Sequence, residues 1–383
     1  MSETAAVWKE LAGQPEAVSQ LELAVKNRAN GVHHAWLFTG PPGSGRSNLA
    51  TAFAAALLCE DGGCGHCKSC RMIAAGTHPD VTSLATERVI ISIDEIRALV
   101  SNSYLGSSVG KYRIMIIEDA DRMAERSSNV LLKALEEPPV NTIWMLCAPS
   151  EADLLPTIRS RVRRVALKVP SVQAVADLLV SRNGIAPKLA AEVAAESQSH
   201  IGMALRLATS TEARSRRRET LLSALNMKGV SAAMFTAAQW LAIAKSDADA
   251  LTDLRDAQER KQLLATMGLT DGETIPPGLR TEFKQLEEAQ KRRATRSLRD
   301  GIDRILTDLL SLYRDVLTVQ LNANVALVNQ DLNAGIADLA ATSTAAQTLE
   351  KLESIALARK RIAANVRDLL TLEALAVSLR RRE

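Results

Sequence analysis

Gly40-Pro41-Pro42-Gly43-Ser44-Gly45-Arg46-Ser47 follows directly on the apolar run Ala35-Trp36-Leu37-Phe38-Thr39 and leads into an alanine-rich segment from Ser47 to Leu58. The order predicts a buried strand, a glycine loop and a helix. A G-x-x-x-x-G-[K]-[ST] spacing of this kind is a Walker A pattern: glycines let backbone N–H groups approach phosphate oxygens, and Ser47 offers a hydroxyl to Mg²⁺. One position departs from it. Arg46 stands where lysine belongs, and its wide, planar, permanently charged fork does not reproduce the compact ammonium's contact with the β/γ oxygens. The loop thus predicts either an ATPase or a relative of one that has lost the activity.

Outward from the loop, short apolar runs alternate with helical patterns through about the first 165 residues. Val81 to Leu84, Arg113-Ile114-Met115-Ile116-Ile117 and Thr142-Ile143-Trp144-Met145-Leu146-Cys147 read as strands. Ser92-Ile93-Asp94-Glu95 is a capping-box pattern that opens a helix. Val130, Leu131, Ala134 and Leu135 lie at core spacing in another helix, which Pro138-Pro139 ends. Strands alternating with helices predict a parallel sheet covered on both faces. After Pro170 the strand signal stops. Two or three short helices are expected from Ser171 to about Ala208, broken near Gly184 to Pro187 and Ser199 to Gly202. A helical remainder is expected from about Ser210, with a polar interruption at Gly272 to Gly278. Ile302, Ile305, Leu306, Leu309, Leu310 and Tyr313 mark one apolar face, and Ile362, Val366, Leu369, Leu370 and Leu375 suggest another.

Composition narrows the class. A chain of 383 residues has room for two or three domains, and no apolar run reaches the roughly 18 to 20 residues of a membrane span. The start, Met1-Ser2-Glu3-Thr4-Ala5-Ala6, lacks the pattern of a signal peptide, so a cytoplasmic protein is expected. A net charge of +3 is too small to argue for nucleic-acid binding by itself, and 3% aromatics leave little for base stacking. Any DNA contact is expected to be to phosphates.

Four of the five cysteines, Cys59, Cys64, Cys67 and Cys70, fall within twelve residues. Thiolates at this spacing suit a tetrahedral, structural Zn²⁺ site, with Gly62, Gly63 and Gly65 letting the backbone wrap the ion. A reduced metal-free cluster and an iron–sulfur centre are the other readings. Four sulfur ligands leave no open position, so a catalytic metal is not expected. His66 is expected to be solvated or behind the ligands, and Cys147, in a buried strand, to be core.

The strand at Ile114 to Ile117 ends in Glu118-Asp119, the reverse of the usual Walker B order, in which the first acid sits near Mg²⁺ and the second polarises water. That reversal should weaken hydrolysis. The blander reading has both acids, with Asp121, capping the next helix.

Leu132-Lys133-Ala134-Leu135-Glu136-Glu137-Pro138-Pro139 and Thr157-Ile158-Arg159-Ser160-Arg161-Val162 carry a resemblance. Together with Val7-Trp8, Gly13-Gln14 and the cysteine insertion, they resemble the bacterial DNA polymerase III clamp-loader subunits of the AAA+ class. The resemblance covers about residues 5 to 208, and the C-terminal third shares helical character only. It implies an α/β RecA-like AAA+ domain over 1–168 with a zinc module at 59–70, a helical lid over 169–208 and an all-α collar over 209–383. It also implies that Ser160-Arg161-Val162 corresponds to an SRC motif, whose arginine reaches into the ATP site of the neighbouring subunit. Val162 replaces the cysteine and leaves the guanidinium in place. Arg161 is therefore the expected catalytic residue in trans, while Arg159, Arg163 and Arg164 are expected surface cations.

The lid arginine of the family's ATPases has no match at Gly202 or Met203, so that sensor is expected to be lost; Ser150 is the candidate for the first sensor. Degenerate nucleotide contacts are expected from Gly40, Pro41, Pro42, Gly43, Ser44, Gly45, Arg46, Ser47, Glu118 and Asp119, with ATP or ADP and Mg²⁺ as cofactors the loop still allows. By resemblance the chain is a mostly non-hydrolysing clamp-loader subunit in a ring with gamma/tau and delta type subunits, acting with the sliding clamp and primed DNA. An active ATPase subunit, or an AAA+ protein of repair or recombination, stays open beside it. The basic runs Arg214 to Arg218, Lys291 to Arg296 and Arg380 to Arg382 are expected on solvated helix faces or subunit contacts, with DNA phosphate as the second reading.

Overall fold

The computed structural model describes residues 5–9, 11–86, 88–267, 276 and 279–381. The chain divides into two compact units, Met1–Thr209 and Ser210–Glu383. In the first, β1 (Ala35–Thr39), β2 (Val81–Leu84), β3 (Arg113–Ile117), β4 (Thr142–Ala148) and β5 (Arg163–Ala166) form one sheet in the order β2-β3-β4-β1-β5, every pair parallel. The apolar runs explain which strands lie inside. All residues of β1, β3 and β4 are buried, because alternate side chains enter two different cores. Trp36, Phe38, Ile114, Ile116 and Met145 pack with α1 (Pro15–Lys26) and α2 (Arg46–Leu58) on one face. Leu37, Met115, Ile117, Trp144 and Leu146 pack with α4 (Ile93–Ser103) and α5 (Glu125–Glu136) on the other, α3 (Lys68–Ala74) following the cysteine loop. This is a parallel α/β sheet with helices on both faces.

The Ser92–Glu95 capping box forms at the start of α4. Strand β5 is absent from the sequence reading, and the reason is its composition: only Val165 is buried in Arg-Arg-Val-Ala, so an edge strand carries no apolar run. The short helix α6 (Pro156–Arg159) precedes it, and α7 (Val172–Asn183), α8 (Pro187–Glu196) and α9 (Ile201–Thr209) complete the unit.

The second unit, among the described residues, is helical: α10 (Thr211–Asn226), α11 (Gly229–Thr266), α12 (Arg280–Gln320), α13 (Asn333–Ala341), α14 (Ala345–Ala363) and α15 (Asp368–Leu379). The polar interruption at Gly272 to Gly278 lies outside the described residues apart from Pro276. Trp240, Ile302, Ile305, Leu306, Leu309 and Tyr313 form the core, with Leu310 half-buried against it. The second apolar face read from the sequence does not exist as one face. Asn365 adopts φ +62° and ends α14, and α15 starts anew at Asp368. Ile362 and Leu375 are buried, but the break leaves Val366, Leu369 and Leu370 exposed.

Several arginines of the basic runs are drawn into this unit's own ion pairs. Arg216 meets Asp247 at 2.6 Å and Arg217 meets Asp308 at 3.0 Å, while Arg293 pairs with Asp256 and Glu259, and Arg381 with Asp338 at 2.7 Å.

Candidate functional site

The glycine loop leaves the C-terminal end of β1, and the residue pairs that surround it come from the ends of adjacent strands. The Gly40 N–H donates to the Pro149 carbonyl after β4, at 3.2 Å. Glu118 follows β3 and accepts from the Ser47 hydroxyl at 2.9 Å and from the Ser83 hydroxyl at 3.3 Å. The hydroxyl and carboxylate that a Mg²⁺ ion would need therefore stand together, and Glu118 faces the loop rather than capping a helix. Asp119, at φ +49°, makes no side-chain cap; its carboxylate lies 3.7 Å from Arg46 and 3.7 Å from Arg122. Burial pushes the Asp121 carboxyl up, and the Asp119 charge adds to it.

Arg46 turns inward. Its Nη1 donates to the Gly40 carbonyl at 2.5 Å, at the start of its own loop, and its side chain is 10% exposed. The cation that a phosphate would need is thus occupied with the loop backbone and Asp119. Such a site keeps the elements for a metal ion beside Ser47 but not the lysine-type contact, and no hydrolytic step is assigned to it. Cys147 lies buried behind it, its thiol pushed up by burial and then by Glu118, as befits a core residue. Ser150 caps the 3-10 turn Glu151–Asp153, accepting from the Ala152 N–H at 3.2 Å.

Two contacts at the loop were not legible as such in the sequence. Gln14, 4% exposed, donates to the Lys168 carbonyl at 2.8 Å and accepts from the Lys168 N–H at 3.0 Å, and its amide also reaches the Ser44 carbonyl at 3.4 Å. His200 is the second. The Ile201 N–H donates to the Gly43 carbonyl at 3.3 Å, while His200 Nδ1 accepts from the Met203 N–H at 3.2 Å and so caps α9. The ring lies directly over Gly43: a Cβ there would stand 2.3 Å from it, at a backbone φ of +79°. Both the clash and the left-handed backbone oppose any side chain. Gly43→Ala is accordingly expected to lower stability by about 1–3 kcal/mol, read as a drop in the thermal midpoint, whereas Gly184→Ala, in open space, should cost less. Equal midpoints for the two variants would contradict the contact.

The cysteines converge. Cys59 ends α2, Cys67 caps α3, and the four Sγ atoms of Cys59, Cys64, Cys67 and Cys70 lie within 4.8 Å of one another. Cys59 Sγ is 3.6 Å from that of Cys64 and 3.8 Å from that of Cys67. Backbone N–H groups of Cys64, Cys67 and Cys70 point at the sulfurs of Cys59, Cys64 and Cys67 at 3.3–3.4 Å, a set of donors that suits thiolates. Burial pushes the Cys59 thiol up, but hydrogen bonds from the backbone of Cys64, Gly63 and Asp61 and from the Cys64 side chain together outweigh it and bring it down to about 7. These four residues can hold a metal ion. His66 is exposed and bonded to the Cys64 carbonyl, outside the sulfur cluster. Gly63, at φ +112°, admits Val7 of the N-terminal 3-10 turn to where a Cβ would be, and the Val7 N–H donates to the Gly63 carbonyl at 3.2 Å. Arg28 covers the end of α2, donating to the Cys59 carbonyl at 2.8 Å and to Glu60 at 2.6 Å, as a cation at a helix C-terminus should.

Arg161 lies on the surface of the sheet unit, just past α6. Its Nη2 is 2.7 Å from Glu136, and its Nη1 donates to the Thr157 carbonyl at 2.8 Å and to Ser160 Oγ at 3.0 Å. Arg163 and Arg164 are exposed on the edge strand; Arg163 stacks over Trp36 and Arg164 pairs with Glu151. Arg159 is exposed on α6.

Two family models match the chain: "DNA polymerase III, delta subunit" over residues 13–171 and "DNA polymerase III, delta subunit, C terminal" over residues 284–377, together about two-thirds of its length. The chain is 40% identical over 147 residues to the DNA polymerase III subunit delta' of Pseudomonas aeruginosa, a match that takes in 37% of this chain and 45% of that protein. It is 25% identical to the DNA polymerase III subunit delta' of Bacillus subtilis over 94% of each chain. Thus it spans under half of the first relative and nearly all of the second. Among solved structures, a DNA polymerase III gamma subunit-related protein of Thermotoga maritima superposes with a TM-score of 0.42 at 20% identity, over 95% of this chain and 100% of that one.

Proposed function

Because the chain belongs to the DNA polymerase III delta-subunit family, we propose that it serves as a delta prime type subunit of a bacterial clamp loader. In this role it hydrolyses little ATP itself, offers Arg161 to the ATP of a neighbouring gamma/tau type subunit, and helps load the sliding clamp onto primed DNA in the cytoplasm. One contrast carries the reading: Arg46 is folded onto its own loop at 2.5 Å from the Gly40 carbonyl with its side chain 10% exposed, while the Arg161 side chain is 35% exposed and held by groups outside the glycine loop. A guanidinium spent on the loop cannot stabilise a transferring phosphoryl group, and one at the surface can serve a site next door. The first domain is read as 1–168, the lid as 169–208 and the collar as 209–383, with a delta type subunit as a further ring member and DNA met through phosphates.

The metal in this reading is Zn²⁺. Four sulfurs about 2.3 Å from a central ion are about 3.8 Å apart along a tetrahedral edge; the Cys59–Cys64 and Cys59–Cys67 separations of 3.6 and 3.8 Å are of that size, and all four sulfurs lie within 4.8 Å of one another. Zinc bound there would tie the end of α2 to α3 and supply rigidity, with no catalytic role.

The purified chain with Mg-ATP tests the central claim. Turnover is expected to fall well below that of a gamma/tau type motor subunit; a comparable rate that Ser47→Ala abolishes would overturn the reading in favour of an ATPase in its own right. The pairing of Ser47 with Glu118 is the observation that favours this second reading.

A further inference from the structure

Glu136 is the last residue of α5, where a negative charge faces the negative end of the helix dipole. Local helix physics therefore does not account for it. Its carboxylate has one partner among the described residues, Arg161 at 2.7 Å, which reaches it from the segment after α6. Together with the Thr157 carbonyl at 2.8 Å and Ser160 Oγ at 3.0 Å, both bonded to Nη1, it gives the guanidinium three acceptors.

We propose that Glu136 is the positioning residue for Arg161: it holds the guanidinium in the orientation from which it meets a phosphoryl anion of the neighbouring subunit. The proposal rests on the trans-acting role of Arg161 given above. An arginine side chain free on a surface loses much rotamer entropy when it is captured, so prior orientation by fixed acceptors removes part of that cost. Arginine has five N–H donors, and three contacts leave others for an incoming anion. Glu136 does not compete strongly for them. Its side chain is 47% exposed and that of Arg161 35%, and an ion pair so open to water is weak, whereas a multiply charged phosphate at a closed subunit interface attracts the same fork more strongly. The carboxylate thus orients the cation and releases it on contact.

The test uses the complete clamp loader reconstituted with this chain as wild type, Glu136→Ala, Glu136→Gln, Arg161→Ala, the double variant and the control Glu137→Ala, an exposed neighbour. Glu136→Ala should lower the single-turnover rate of clamp- and DNA-stimulated hydrolysis at the ATP site that Arg161 faces roughly three- to tenfold, with ATP affinity little changed. Glu136→Gln, which keeps an acceptor oxygen, should recover part of the rate, and Glu137→Ala should match wild type. In the Arg161→Ala background, Glu136→Ala should add nothing. Separately, ¹⁵N relaxation of the Arg161 Nε–H in the isolated chain should show a side chain ordered in wild type and mobile in Glu136→Ala.

The failures are distinguishable. If Arg161→Ala leaves the rate unchanged, the trans-acting role falls and the inference falls with it. If Arg161→Ala slows the complex while Glu136→Ala and Glu136→Gln equal or exceed wild type, only the inference falls. Should Glu136→Ala disturb assembly, Glu136→Gln and the relaxation measurement decide, and an equally mobile Arg161 in wild type overturns the proposal.

Discussion

Arg161→Ala is expected, on the proposed trans-acting role, to leave the clamp loader assembled and to slow hydrolysis at one neighbouring ATP site by on the order of 10³ or more, the range over which trans-acting arginines contribute to phosphoryl transfer. Charge gathers on the phosphoryl oxygens as the bond to the leaving group loosens, and a guanidinium in a water-poor interface stabilises that charge far more than it stabilises the ground state. The steady-state rate of the whole complex would fall less, since other sites keep their own partners. Single-turnover hydrolysis resolves the affected site, and gel filtration checks assembly. Arg161→Lys should recover little, because a single ammonium does not reproduce the planar fork. A single-turnover profile identical to wild type would remove Arg161 from the mechanism. The effect should be absent from the isolated chain, where the Arg161 side chain bonds Glu136, Thr157 and Ser160.

Cys64→Ser is expected to release one Zn²⁺ per chain and to lower stability by several kcal/mol, about 10 °C or more in the thermal midpoint of the sheet unit. Structural zinc contributes its binding energy to folding, because the four thiolates are gathered only in the folded chain. Here the consequence reaches beyond the loop. Cys59 and Cys70 are buried in the same core as Trp8, Phe53 and Ile73, so opening the cluster loosens the end of α2, whose start is the glycine loop. Chelation of the wild-type protein should reproduce the shift, and Cys147→Ser should leave the metal content unchanged. Elemental analysis that finds no zinc in the wild-type chain would rule the site out.

The parts of this protein that were legible in the sequence share one property: their signal is local. Strands β1, β3 and β4 announced themselves because burial on both faces demands unbroken apolar runs, and β2 lay where its short run placed it. The cysteine spacing fits within a dozen residues, where the chain can hardly avoid bringing the sulfurs together. Signals failed where burial was partial or geometry intervened. Strand β5 buries one side chain, and the apolar spacing from Ile362 to Leu375 runs across a helix break set by the backbone of Asn365.

What the sequence by itself determined is the strand–loop–helix unit at Gly40 to Ser47, the parallel sheet it belongs to, the cysteine cluster that can hold a metal ion and the identity of the residues at issue. Periodicity and spacing carry that information without reference to distant chain. Only the tertiary structure decided what those residues do with one another. Arg46 could have faced outward, but its charge is satisfied on Gly40 and Asp119. Ser47 meets Glu118 across 71 residues, His200 seats on Gly43, and Glu136 meets Arg161 from a different helix. The physical reason is that a side-chain contact depends on which strand ends the sheet order places together and which way each backbone turns there, and neither is written in the neighbouring residues.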